Sequence, residues 1–488
     1  MPRLAWFSPL PPVKSGIARY CSELLPGLAA EYDIDLFVDG PPAAFESPDE
    51  RVQVFDAYDF LWKNRARPYD LIVYQLGNAP CHDYMWAYLV RYPGLVVLHD
   101  GQLHHARGRM LLQRRQPRRE DYRREFRFNH PDANPDLAEL GAVGLLGSLT
   151  YLWPMLRIPV EASRRVLVHN NWLADQIRGD HPGATVDVVE MGVAEPAPQS
   201  GTRRQIRSRH GIAEDAVVFT AFGKVTPEKR VREAMRALAS VTDSAQHAHL
   251  LVAGETVEYY DLQSEAESLG SSERITVTGY LREEEVDNYL AASDVCLCMR
   301  WPTSRETSAS WLRSLAAGKP TISTDLVHTV DVPTLDPRNW SVLAGLSAVA
   351  RHDPASFGET RRSLGEGGKA GTATDAVGDA VEARPVGVSV DILDEGHSLK
   401  LAIRRLATDD KLRVMLGSNA RALWSERFRL DGMVAGYQRV VAELRQAPPG
   451  PADGLKTLPH HLRAGGAEHA ESLVREIVGP EYHLRDAD

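Results

Sequence analysis

DVCLCMRWPTSRETSASWLRSLAAGKPTISTD, residues 294–325, reads as strand, loop, helix, strand. Residues 294–300 form a short apolar run that begins after a turn-type Ser-Asp. The segment TSRETSAS is small and polar, as a helix entry should be. Trp311, Leu312, Leu315 and Ala316 recur at helical spacing. Gly318 ends that helix just before Pro320, and TISTD has the β-rich composition of a second strand. A loop rich in Ser and Thr is thereby delivered to the carboxyl edge of a parallel strand, at the N-terminus of the next helix. Free backbone N–H groups and the helix dipole make such a place a natural anion site. Glu306 stands in it, with Arg305 beside it.

Working outward, the 488 residues suggest two or three domains. Hydrophobic residues at 43% and charged residues at 25% allow large cores in a chain that stays in solution. The net charge of −10 argues against a general nucleic-acid binder. Cys21, Cys81, Cys296 and Cys298 are too few for a disulfide scaffold. Cys296 and Cys298 alternate along one strand and so share a face, as buried thiols in a reducing compartment. The N-terminus, MPRLAWFSPLPP, lacks the apolar core of a signal peptide. The longest uncharged run, 140–156, holds Gly141, Gly144, Gly147 and Pro154. It reads as a buried helix or a surface-docking element and not as a membrane span.

Further strands are expected at 3–10, 34–38, 52–55, 70–76, 94–100, 164–170 and 185–189. Helices lie between them, the first at 17–30 after a loop ending in Ser15 and Gly16. This opening is that of a doubly wound α/β domain. His99 and Asp100 close the strand GLVVLHD at the edge where open α/β sheets place ligands, Asp100 being suited to orient the imidazole. His104 and His105 follow in the next loop, as cap or solvated histidines. Residues 107–127 carry nine Arg against Glu120, Asp121 and Glu125. Such a run is a solvated helix face or, through Arg114, Arg115, Arg118 and Arg119, a patch for an anionic acceptor or lipid headgroups.

The composition of 191–201 is that of a hinge. A second α/β domain restarts with a strand at 217–222 and a helix at 232–238. Gly223, Lys224, Lys229 and Arg230 crowd the loop between them with positive charge. Cations beside a helix N-terminus oppose its dipole, which makes sense if an anion is held there. Strands at 249–254 and 274–280 and a helix at 283–292 lead into the opening stretch. Beyond it, 353–385 has the composition of a disordered insertion, 386–392 reads as a strand, and 398–444 as long helices.

These motifs, in this order, resemble the retaining GT-B glycosyltransferases of family 4 (glycosyltransferase group 1 type). The resemblance spans roughly 4–444. It implies two Rossmann-like doubly wound domains facing a central cleft. The first is an acceptor-binding domain (1–190), followed by the hinge (191–201) and a nucleotide-sugar-binding domain (202–425, with 353–385 inserted). A helix (426–446) then returns to the first domain, and 447–488 is a tail. It also implies sites. His99, Lys224, Lys229 and Glu306 are the catalytic set. Gly16, Asp100, Gly223, Gly279, Tyr280, Leu281, Arg305, Thr307, Ser308, Ala309, Ser310 and Ser314 are the donor-binding set. Two positions depart from the family pattern: Lys224 stands for an Arg, so a point charge replaces a planar fork, and Ser314 stands for a second Glu.

The implied reaction is transfer of a sugar from a nucleotide sugar to a carbohydrate, lipid-linked or small-molecule acceptor, with retention, in polysaccharide or glycoconjugate biosynthesis. No cofactor and no obligatory metal are expected. The expected setting is the cytoplasm, with peripheral association at the inner membrane face. Two rivals stay open, a GT-B nucleotide-sugar epimerase and a non-catalytic binding or scaffold subunit.

Overall fold

The computed structural model describes residues 1–241, 247–325, 332–343, 384–447 and 457–463. The expected insertion at 353–385 and the tail at 447–488 therefore fall mostly outside the described residues. Contacts divide the chain into two compact units. Unit 1 comprises Met1–Val168, Gln176–Asp187 and Tyr437–Asp488. Unit 2 comprises His169–Asp175 and Val188–Gly436. The domain limits read from sequence were placed at 190 and 202. The contacts instead give unit 2 the residues from Val188 and a short piece further back.

Unit 1 is built on a seven-stranded sheet: β1 (Arg3–Phe7), β2 (Asp33–Val38), β3 (Val52–Asp56), β4 (Leu71–Leu76), β5 (Leu95–Leu98), β6 (Arg165–Val168) and β7 (Val186–Val188). Their spatial order is β3-β2-β1-β4-β5-β6-β7, and the pairs from β3 across to β6 are parallel. Every residue of β1 is buried, which is why the strand reads as a continuous apolar run rather than an alternation. The order reverses between β1 and β4, so the chain after those two strands leaves in opposite directions and opens a crevice at their carboxyl ends. The helix Leu430–Gln446 supplies this unit with Tyr437, whose hydroxyl lies 2.6 Å from that of Tyr20 and whose ring is 5.9 Å from Trp6.

Unit 2 repeats the plan with β8 (Val217–Phe222), β9 (Ala248–Ala253), β10 (Ile275–Val277), β11 (Val295–Cys298), β12 (Thr321–Thr324), β13 (Thr334–Leu335), β14 (Val342–Leu343) and β15 (Gly387–Val390). The order is β10-β9-β8-β11-β12-β15-β13-β14, and its switch point lies between β8 and β11. One edge is not parallel: β13 and β14 pair antiparallel. Strands of two residues carry no period for a sequence reading to detect.

The opening stretch folds as expected. After β11, the helix Ala309–Ala316 buries Trp311, Leu312, Leu315 and Ala316. Ser308 caps it, accepting from the Trp311 N–H. Gly318 turns out of it at φ +63°, a conformation that costs a residue with a Cβ.

Two expectations in unit 1 are corrected and a third is narrowed. Of the two readings of the 140–156 run, the buried helix is set aside: after the helix Pro135–Ala142 the chain reaches a 3-10 turn, Gly147–Leu152, with Leu140, Val143, Leu145, Leu149 and Leu152 exposed and Leu146, Met155 and Leu156 buried. His104 and His105 do not lie in a loop but open the helix His104–Leu112. His104 is buried, meeting Tyr122 Oη at 2.6 Å and Trp153 O at 2.8 Å. The arginine run is only partly a solvated face. Arg107 is buried against the fully buried Glu125 and lies 4.4 Å from the Trp86 ring, and Arg109 is held by Asp83.

Candidate active site

The site in unit 2 forms where β8 and β11 end side by side. β8 runs into Gly223, whose φ of +83° and hydrogen bond to Ala253 O turn the chain sharply. The turn is followed by the one-turn helix Pro227–Lys229 and the helix Val231–Ala239. Lys224 is exposed. Lys229 is not: its ammonium folds inward, donates to Phe222 O, and would lie 3.1 Å from a Cβ added at Gly223. Burial pushes its pKa down to about 8, with the nearby Arg300 guanidinium adding to the effect. Glycine at 223 thus suits the turn, and a Cβ there would also crowd the lysine above it.

From β11 the chain passes through Arg300 to the loop carrying Glu306, which is 8% exposed. Its carboxylate accepts from Arg300, from the Thr303 hydroxyl at 3.0 Å, and from the Ser304 N–H and hydroxyl at 3.0 Å each. Burial alone would raise its pKa. The Arg300 charge and these hydrogen bonds outweigh that and hold it below the usual carboxylate range. Glu306 is therefore ionised, and it is not the helix cap, since that role belongs to Ser308. Arg300 links the two halves of the site, bonded to Glu306 and electrostatically coupled to Lys229. It was missed in the sequence reading, although it is the one charge ending the apolar run of β11 at the same edge as Glu306.

Other expected donor contacts are placed as follows. Arg305, at φ +59°, turns away from Glu306 to stack 4.3 Å from the Trp172 ring, and Asn170 holds its carbonyl at 3.0 Å. Thr307 meets the same Asn170 at 3.4 Å. Ser310 borders Gly223, its Oγ lying 3.9 Å from a Cβ built there, and Ala309 opens the helix. Ser314 is fully buried and donates to Ser310 O at 2.8 Å. It lies against the Cys296 and Cys298 thiols beneath the helix, not on the loop surface. Gly279, Tyr280 and Leu281 follow the carboxyl end of β10, with Gly279 at φ +75° and Tyr280 exposed. The free cysteines behave as read: burial pushes the Cys296 thiol up to about 11. Arg230, counted with the lysines as free positive charge, is neutralised by Glu395 and Glu233.

In unit 1 the crevice between β1 and β4 is edged by Ser15, Gly16, Gly77 and, one strand along, His99. Ser15 caps the helix Gly16–Leu28, and a Cβ at Gly16 would meet nothing within 4 Å. His99 is buried, its Nε2 2.7 Å from Gln75 Oε1 and its ring edge-on to Tyr20. Gln75, not Asp100, thus holds that nitrogen. Asp100 accepts from the Asn78 N–H at 2.8 Å and fixes the loop after β4. Gln75 was legible as the single amide in the apolar strand DLIVYQL, where a buried polar group needs a partner. No helix among the described residues is long and apolar enough to cross a membrane.

Comparison with known proteins places a family signature over the site in unit 2. Residues 202–332 match the family model described as Glycosyl transferases group 1. A 2-deoxystreptamine glucosyltransferase of Streptomyces kanamyceticus is 27% identical over 135 residues, 28% of this chain and 34% of that protein. The matched segment thus spans about a third of that relative's length. Among solved structures, sucrose-phosphate synthase from Thermosynechococcus elongatus aligns over 91% of this chain and 99% of its own at a TM-score of 0.60 and 14% identity. Anabaena HepE in complex with UDP and glucose aligns over 91% and 100% at a TM-score of 0.56 and 15% identity. At these identities the likeness speaks for the fold. The two parallel-sheet α/β units have the GT-B fold that the sequence motifs implied.

Proposed function

We propose that this protein transfers a sugar from a nucleotide-sugar donor to an acceptor hydroxyl, with retention at the anomeric carbon. The observation that carries the reading is the Lys229–Arg300–Glu306 cluster at the β8/β11 switch point, inside the segment that matches the group 1 family. Lys224, Lys229 and the free N–H groups of the helix Ala309–Ala316 receive the diphosphate and stabilise the charge that develops as it leaves. Glu306, kept ionised by Arg300, accepts hydrogen bonds from sugar hydroxyls. By the family resemblance, His99 is given the donor sugar and the Gly16 loop the donor diphosphate. No side chain of the sequence motifs is an evident nucleophile, so the leaving phosphate itself is proposed to help deprotonate the acceptor. The transfer is proposed to need no metal. UDP is the first nucleotide to test, because HepE was solved with it.

The test is release of nucleoside diphosphate from a panel of nucleotide sugars, with and without EDTA, and NMR of the product anomer. Release at rates well above buffer, unaffected by EDTA and with the donor's anomeric configuration kept, supports the proposal. A second reading, a non-catalytic binding subunit, is favoured by one observation: the Glu306 carboxylate already has partners in Arg300, Thr303 and Ser304. Nucleotide binding without any turnover would select it.

A further inference from the structure

The segment after the helix Pro135–Ala142 presents its apolar side chains outward. Gly144 and Gly147, both at positive φ, wrap the chain around Leu146. Leu146 alone turns inward, joining a core of Leu111, Tyr122, Phe126, Ala138 and Met155. On either side of it Val143, Leu145, Leu149 and Leu152 remain 56%, 69%, 50% and 68% exposed. Single exposed apolar residues need no explanation, but several on one turn make a patch.

The core under the patch also anchors exposed positive charge. Leu111, which shares the core with Leu146, accepts from the Arg118 N–H at 2.7 Å, so the arginine loop springs from beside it. Arg114, Arg115, Arg118 and Arg119 are all exposed. Among the described residues Arg115, Arg118 and Arg119 have no ion-pair partner and Arg114 is coupled only electrostatically, to Asp83, whereas Arg123, Arg124 and Arg127 next to them pair with Glu120, Asp121 and Glu139.

We propose that the 140–152 turn and the 114–119 arginine loop together form a docking surface for an anionic lipid bilayer. Aliphatic side chains on a protruding turn enter the headgroup boundary, and arginines at their flank meet lipid phosphates. Charge complementarity selects this occupant, a cationic loop in a chain whose net charge is −10. The inference goes beyond the glycosyl-transfer reading, because vesicle binding needs neither donor nor acceptor and can fail or succeed independently of it.

The experiment is co-sedimentation of the full chain with phosphatidylcholine vesicles, with or without about 30% phosphatidylglycerol, across a salt series. The expected result is binding only to the anionic vesicles, weakening as salt rises. Two variants should each lose at least about tenfold in binding: Leu145→Ser with Leu149→Ser and Leu152→Ser, and Arg114→Gln with Arg115→Gln, Arg118→Gln and Arg119→Gln. Both sets lie on the surface, so melting temperature and nucleotide binding should stay at the unmutated level. Failure of the unmutated chain to sediment, or binding that survives either set of substitutions, overturns the proposal. So does light scattering that shows a dimer which the leucine variant dissolves, since the patch would then be a subunit interface.

Discussion

Glu306 and Lys229 carry the argument at the scale of single residues, and their environments make opposite demands on charge. Glu306 is held ionised by Arg300, while Lys229 is pushed toward neutrality by burial. For Glu306→Gln we expect turnover to fall at least about tenfold, from loss of charge-assisted hydrogen bonds worth about 1.5–3 kcal/mol to the sugar. Nucleoside diphosphate affinity should be unchanged by calorimetry. Equal loss of both would make Glu306 a loop anchor only. For Lys229 the sign follows from a free-protein pKa of about 8. A bound diphosphate favours the charged ammonium, so affinity is greatest below pH 8 and falls as pH rises through it, by about tenfold per unit. Lys229→Ala should be weaker throughout and flat across the same range. Glu306 and Lys229 were visible in the sequence through residue type and order. Arg300 and Gln75 were not assigned, because what matters about each is the partner it meets across a strand, and the sequence does not print partners.

At the scale of elements, two turns position the site. Gly223 combines φ of +83° with the Lys229 ammonium overhead, so Gly223→Ala should lower the melting temperature and weaken nucleotide binding together. An alanine that matches the native protein in both would remove the turn from the account. Ser308→Ala should cost the helix Ala309–Ala316 about 1 kcal/mol, read by chemical denaturation, and should blunt nucleotide binding by loosening the helix start. The strands and the principal helices could be read because each shows an apolar run or a 3.6-residue period bounded by Gly, Pro or Ser. The short pieces could not. β13 and β14 are two residues each, and the turn at Gly147–Leu152 is held by contacts of Thr150 and Tyr151 with His105. The 140–156 run left two readings open for a related reason: hydrophobicity without a period cannot say which side chains face in.

At the scale of the whole molecule, burial of neutral histidines governs the response to acid. Burial pushes His82, His104, His130, His169 and His249 each down from 6.5 to about 4. Between these values the unfolded chain binds more protons than the folded one, so stability is complete above pH 6.5 and is lost as pH falls toward 4. Asp325, raised by burial to about 6, acts in the opposite sense over much of that range but is one group against five. The melting temperature should therefore fall steadily from pH 7 to pH 5. A flat profile would show that these histidines are protonated in the fold.

The central claim is that the β8/β11 switch point of the second unit holds a nucleoside diphosphate. A thermal-shift screen of the full chain against UDP, GDP, ADP and dTDP tests it most directly. One nucleotide should raise the melting temperature, the shift growing with the logarithm of its concentration to the equivalent of about 2.7 kcal/mol at a hundredfold excess over Kd, and Lys229→Ala should abolish most of that shift. No shift with any of the four, or a shift that Lys229→Ala leaves intact, would contradict the account.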